Sequence, residues 1–174
     1  EKLKANGCPK VVINDLARVD MAEAVEDAFR YSKLVLATTT YNADIFPFMR
    51  EFINHLTERN FQNRTVAFIE NGSWAPLAAK VIKEMLAKQK NLVYTDNTVR
   101  ILSSLDETSK GQIEELSNEL CREYLARQDA TAKAELKGTV NAGTALSFVA
   151  LKMNRTDKGV LEFWGKTNDF GTPG

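Results

Sequence analysis

The sequence predicts an α/β fold built on a doubly wound parallel sheet, and three observations predict it. Strand-like and helix-like segments alternate through about the first 125 residues. The apolar runs Leu34 to Thr38 (LVLAT) and Thr65 to Glu70 (TVAFIE) are short and unbroken, as in strands buried on both faces of a parallel sheet. Each then runs into a segment rich in hydroxyl, amide and aromatic groups, at the strand end where open α/β sheets hold ligands.

The elements follow in order. Lys10 to Leu16 reads as a strand. Met21 to Tyr31 reads as a helix, capped by Asp20 with Glu23 at capping-box spacing. After the Leu34 strand, Phe48 to Arg59 is a helix preceded by Pro47, a favoured starting residue. After the Thr65 strand, Pro76 to Lys88 is a helix with Leu77, Val81 and Met85 on one face. Val99 to Leu102 is a last short strand of the alternating region. Ser109 to Tyr124 is a helix whose stripe is Ile113, Leu116, Leu120 and Tyr124. Leu125 to Lys137, charged and alanine-rich, is a helix extension or linker. Ala145 to Leu151 and Val160 to Trp164 read as strands, with a turn-like stretch from Asn154 to Gly159 between them. The end, from Asp169 to Gly174, has the composition of a loose tail. This organisation divides the chain into a domain over 1–125 and a linker and extension over 126–174.

Composition removes several function classes. The chain has 23 basic and 23 acidic residues, so it lacks the basic excess of a nucleic-acid or anionic-membrane binder. No apolar run approaches the roughly 20 residues that cross a bilayer. No charged-then-apolar leader opens the chain, and the two cysteines, Cys8 and Cys121, do not resemble a disulfide framework, so a cytoplasmic location is expected. The chain opens on Glu1, which suggests a piece of a longer protein. One histidine, His55, cannot build a His-rich zinc or di-iron centre, and two cysteines cannot build a four-thiolate iron site. His55 itself reads as a solvated or capping residue.

The two segments at the strand ends carry the candidate chemistry. Thr38-Thr39-Thr40-Tyr41-Asn42 supplies hydroxyls, an amide and a ring. Taken alone, it is an ordinary hydrated turn before Pro47. Asn71-Gly72-Ser73-Trp74-Ala75-Pro76 places an indole beside a glycine that permits close backbone approach. Taken alone, its tryptophan is packing. Two such segments on neighbouring strands at one edge point instead to a flat aromatic ligand.

Leu36-Ala37-Thr38-Thr39-Thr40-Tyr41-Asn42 with Phe46-Pro47, together with Glu70-Asn71-Gly72-Ser73-Trp74-Ala75-Pro76, resembles the flavodoxin-like domain of flavodiiron proteins (A-type flavoproteins). The resemblance covers about Lys10 to Tyr124. It implies a five-stranded sheet of order 2-1-3-4-5 with FMN at the switch point. It also implies FMN-ring contacts from Thr39, Thr40, Tyr41 and Asn42 on one side and Asn71, Gly72, Ser73 and Trp74 on the other. By the same resemblance the chain is an electron-transfer part of an oxidoreductase, with no self-contained catalytic site and no metal of its own. Its partners would be a redox protein such as rubredoxin and a di-iron domain or subunit, with homo-oligomer formation open.

Two features depart from that family. No segment before Lys10 resembles its first strand or its phosphate loop, so weak or absent FMN binding is expected. The missing strand is a central one, so the Lys10 and Leu34 strands need another neighbour. They could pair directly, accept a strand from a partner chain, or accept Ala145 to Leu151. The sequence favours a separate hairpin of Ala145 to Leu151 with Val160 to Trp164, since no crossover helix or phosphate-loop chemistry follows the former. Competing functions are an FMN-dependent quinone-reductase-like enzyme and a ligand-free flavodoxin-like fragment acting only in packing. A phospho-acceptor receiver domain shares the topology but would leave Trp74 without a role.

Overall fold

A computed structural model describes residues 1–135 and 146–150, with side chains through residue 126. In chain order the elements are α1 (Lys2–Ala5), β1 (Val11–Asp15), α2 (Met21–Arg30), β2 (Lys33–Tyr41), β3 (Asp44–Ile45), α3 (Pro47–Glu58), β4 (Arg64–Asn71), α4 (Ala78–Met85), β5 (Leu92–Ile101), α5 (Glu107–Glu135) and β6 (Leu146–Ala150). Local chemistry sets several of these starts. The Asp20 carboxylate accepts from the Ala22 N–H at 2.7 Å and caps α2. Pro47 opens α3. Asp106 and Ser109 cap α5 reciprocally: each side chain accepts from the other's backbone N–H, at 2.7 and 2.9 Å. The Ser109 hydroxyl, at 2.7 Å, and the Ser109 N–H both donate to the Asp106 carboxylate and hold it below its ordinary range.

The sheet has the order β1-β6-β2-β4-β5, with all these neighbours parallel and β3 antiparallel to β2. Alternate residues of β2 and β4 serve two cores. Leu34, Leu36, Val66 and Phe68 pack with α2, α3 and α4, through Ala24, Phe52, Ile53 and Ile82 among others. Val35, Ala37, Ala67 and Ile69 pack with α5, through Leu116, Leu120 and Tyr124, and with Leu3 of α1. This is the α/β, doubly wound, mostly parallel architecture that the sequence predicts.

The favoured hairpin is not what forms. β6 lies between β1 and β2, pairing Val11 to Asp15 with Leu146 to Ala150 on one side and Leu34 to Ala37 with Ser147 to Ala150 on the other. The position of the missing first strand is therefore filled from the far end of the chain, and the spatial pattern 2-1-3-4-5 is restored. The physical reason is backbone satisfaction. A hairpin would pair one edge of this segment and leave β1 and β2 with facing unpaired edges, whereas insertion pairs both edges of β6 and closes the gap. The proposed hairpin partner, Val160 to Trp164, lies outside the described residues.

Other boundaries also differ. Thr39, Thr40 and Tyr41 are not loop residues but extend β2, which turns through Asn42 and Ala43 into β3. Both turn residues have positive φ, 52° and 58°, as a two-residue hairpin turn requires. β5 starts at Leu92, well before Val99, because a register shift lets it continue through Thr95, Asp96 and Asn97. The Glu119 carboxylate takes up the displaced amides, accepting from Asp96 N–H at 2.7 Å and Asn97 N–H at 3.1 Å. α4 is shorter than expected and begins at Ala78, so Pro76 stands in the loop before it. Among the described residues, no helix is long and apolar enough to cross a membrane.

Candidate functional site at the carboxyl edge of the sheet

Because β1, β6, β2, β4 and β5 are mutually parallel, their carboxyl ends share one edge. The two candidate segments meet there. Thr39 and Asn71 are register partners on adjacent strands, and the Thr39 hydroxyl donates to the Asn71 carbonyl at 3.0 Å. The Thr40 hydroxyl accepts from the Leu77 N–H at 2.8 Å, so β2 also holds the far end of the second loop. The Gly72 N–H donates to the Ile101 carbonyl at 3.1 Å, tying the same loop to β5. Thr39 and Thr40 therefore join the two segments, and both side chains are half-buried.

The remaining candidates are placed differently. Tyr41 is exposed and packs edge-on against Phe46, with ring centroids 5.6 Å apart. Phe46 in turn meets Phe48 at 5.8 Å. Asn42 occupies the exposed turn. Asn71 and Gly72 are half-buried, and Ser73 is exposed. Trp74 is 95% exposed. A cavity of 430 Å³ opens beside Tyr41, lined by Asn42, Asp44, Pro47, Arg50 and Asn54 among others, and Trp74 is not on its wall. Arg50 pairs with Asp44, and this bond, aided by the Ile45 N–H, holds the Asp44 carboxyl below its ordinary value. The Asp44 carboxylate thus balances the guanidinium charge beside Tyr41.

Sequence reasoning missed Glu70. The residue opens the second motif, where the resemblance implies no role for it. Glu70 is buried at the end of β4, where its carboxylate accepts from Ala79 N–H and from Arg100 Nε, each at 2.9 Å. The signal was available: an acid closing an apolar run that is buried on both faces must have partners. Among the described residues, no group of three or more His, Cys, Asp or Glu could hold a metal ion. His55 sits on the surface of α3 beside Glu51, Glu58 and Arg59.

No family model matches the sequence. No curated protein matches it either. Solved structures do match in shape. An archaeal flavodoxin superposes with a TM-score of 0.58 at 16% identity, over 71% of this chain and 82% of that one. A rubredoxin:oxygen oxidoreductase from the anaerobe Desulfovibrio gigas superposes with a TM-score of 0.50 at 15% identity, over 68% of this chain. The match spans 36% of the oxidoreductase, so the chain corresponds to about a third of that protein's length. The fold is thus flavodoxin-like, and its structural neighbours agree with the flavodiiron resemblance at the level of fold.

The donor set suits the ring of a flavin. The edge offers amides and hydroxyls at Asn42, Asn71 and Ser73, and aromatic faces at Tyr41 and Trp74, without a charged group among the eight candidates. For the phosphate, β6 ends at Ala150, beside Asp15 of β1 and Ala37 of β2, where the flavodoxin-like order has its first strand. The residues that follow it lie outside the described ones.

Proposed function

We propose that this chain is an FMN-binding electron-transfer module, passing electrons from a redox protein such as rubredoxin to a metal site on another domain or subunit. The observation that carries the reading is Trp74. An indole 95% exposed contributes little to folding, yet the loop that bears it is tied to β2 and β5, and the strand before it to α4, by named hydrogen bonds. A fixed loop presenting an unpacked aromatic ring at the carboxyl edge of a doubly wound sheet is suited to a flat ligand. Bound FMN would supply the one- or two-electron chemistry. Tyr41 and Trp74 would border the ring. Thr39 and Thr40 would hold the two bordering segments together, and Asn42, Asn71 and Ser73 would offer hydrogen bonds to its polar rim. The Gly72 backbone would allow close approach.

Titration of the purified chain with riboflavin and with FMN tests this. Equal, weak affinities indicate a site for the ring alone. FMN binding at least about tenfold tighter than riboflavin, a difference of about 1.4 kcal/mol, indicates phosphate contacts as well. Binding of neither ligand at hundreds of micromolar overturns the reading.

A further inference from the structure

Glu70 is an acid in a place where acids are costly. It is the penultimate residue of β4, 2% exposed, on the same face as the core residues Val66 and Phe68. An ionised side chain there needs a partner for each oxygen, or burial disfavours it. One oxygen accepts from the Ala79 N–H in the first turn of α4, where the helix end favours negative charge. The other accepts from Arg100 Nε on β5. Arg100 is in turn placed by its own N–H, which donates to the Gln112 side chain of α5 at 2.8 Å.

The geometry makes a clasp. The chain leaves β4 after Asn71, forms the loop carrying Gly72, Ser73 and Trp74, and returns at α4. Glu70 ties the return to the departure. The bonds from Gly72 to Ile101 and from Leu77 to Thr40 fix the same neck. Only the tip, Ser73 to Ala75, is exposed. An apolar residue at position 70 would bury well but could not grip a helix N-terminus and a guanidinium together. A buried carboxylate held by an exposed guanidinium often adds little stability compared with apolar packing, so its presence here fits a role in placement.

We propose that Glu70 is a positioning residue for the flavin site, holding the Trp74 tip in one attitude at the sheet edge without touching the ligand. The ligand rests on the flavin reading above; the clasp does not. The chain has two tryptophans, so Trp164→Phe leaves Trp74 as the sole reporter. In that background, Glu70→Gln and Arg100→Met should each lower the fluorescence anisotropy of Trp74 and weaken FMN binding. For Glu70→Gln the expected loss is about tenfold, the equivalent of one charge-assisted hydrogen bond at about 1.5 kcal/mol. Arg100→Lys, which keeps the charge, should restore part of both. Folded variants with unchanged Trp74 anisotropy overturn the proposal, even if their melting temperature falls. If Glu70→Gln does not fold, Arg100→Met decides, because that side chain is 65% exposed and its loss leaves the helix contact in place. If the unsubstituted chain binds no FMN, the flavin reading fails and the anisotropy alone decides whether the clasp positions the loop.

Discussion

Replacing Trp74 by alanine separates a binding role from a packing role. The side chain is 95% exposed and belongs to neither apolar core. Substitutions at such positions change stability by about 0.5 kcal/mol or less. For a chain of this size that corresponds to at most about 2 °C in melting temperature. Stacking of an aromatic side chain on a planar heterocycle is worth about 1–3 kcal/mol by alanine substitution. Trp74→Ala should therefore weaken FMN binding by about 5- to 150-fold, at about 1.4 kcal/mol per decade. Trp74→Phe should recover part of the loss, because a ring remains. Quenching of FMN fluorescence at fixed salt reads the affinity, and a thermal melt of the ligand-free chain reads the stability. Two results would refute the reasoning. An unchanged FMN affinity removes Trp74 from the ring site. A melting temperature lowered by more than about 5 °C makes Trp74 a packing residue.

Thr40→Val keeps the shape but removes the acceptor for the Leu77 N–H, leaving a half-buried donor unpaired at a cost of about 1–2 kcal/mol. The Leu77 amide should then exchange faster with deuterium, and an unchanged rate would show that the bond does not hold the loop. Cys121 gives a test at alkaline pH, since burial, with the nearby Cys8 and against the pull of Lys33, pushes its thiol up to about 11 from an ordinary 9.0. The folded pKa is raised, so its contribution is present below about pH 9 and is lost as pH rises toward 11, amounting to about 2 kcal/mol by pH 10.5. Urea midpoints at pH 8 and 10.5 should show that loss in the parent and a smaller one in Cys121→Ala; equal losses would assign the effect elsewhere. Finally, a chain ending at Glu135 lacks β6, so the Leu34 to Ala37 amides of β2 and those of β1 should lose hydrogen-exchange protection while the β4–β5 ladder keeps its own. Equal protection of β2 in both chains would mean that β6 does not pair there.

The parts of the fold legible in the sequence are those where one residue pattern admits one solution. Leu34 to Thr38 and Thr65 to Glu70 could only be strands covered on both faces, and the structure gives each a core on either side. Asp20 and Pro47 marked helix starts through chemistry that is local to a few residues. The extra length of β5 was hidden because Thr95-Asp96-Asn97 is polar and interrupts the apolar pattern of a strand. It stays in the strand only through a carboxylate from Glu119, more than twenty residues away, which no local pattern reveals. The candidate segments were visible by composition, but their internal division of labour was not. Thr39 and Thr40 spend their hydroxyls on tying β2 to the second loop, while the rings of Tyr41 and Trp74 face solvent.

The placement of β6 shows where local reasoning stops. Ala145 to Leu151 is equally good as one arm of a hairpin or as a central strand, so its own sequence cannot choose. The choice belongs to β1 and β2, whose facing edges lie far away in the chain and need hydrogen-bond partners. Closing so long a loop costs little more than closing a short one, since the entropic penalty grows only with the logarithm of loop length. Two new ladders therefore outweigh the single ladder of a hairpin. The consequence reaches the site. A strand inserted parallel to β1 and β2 brings Ala150 to the same edge as Thr39 and Asn71. The comparison of FMN with riboflavin thus bears directly on β6, because the phosphate is the part of the ligand that the flavodoxin-like order would put next to that strand's end.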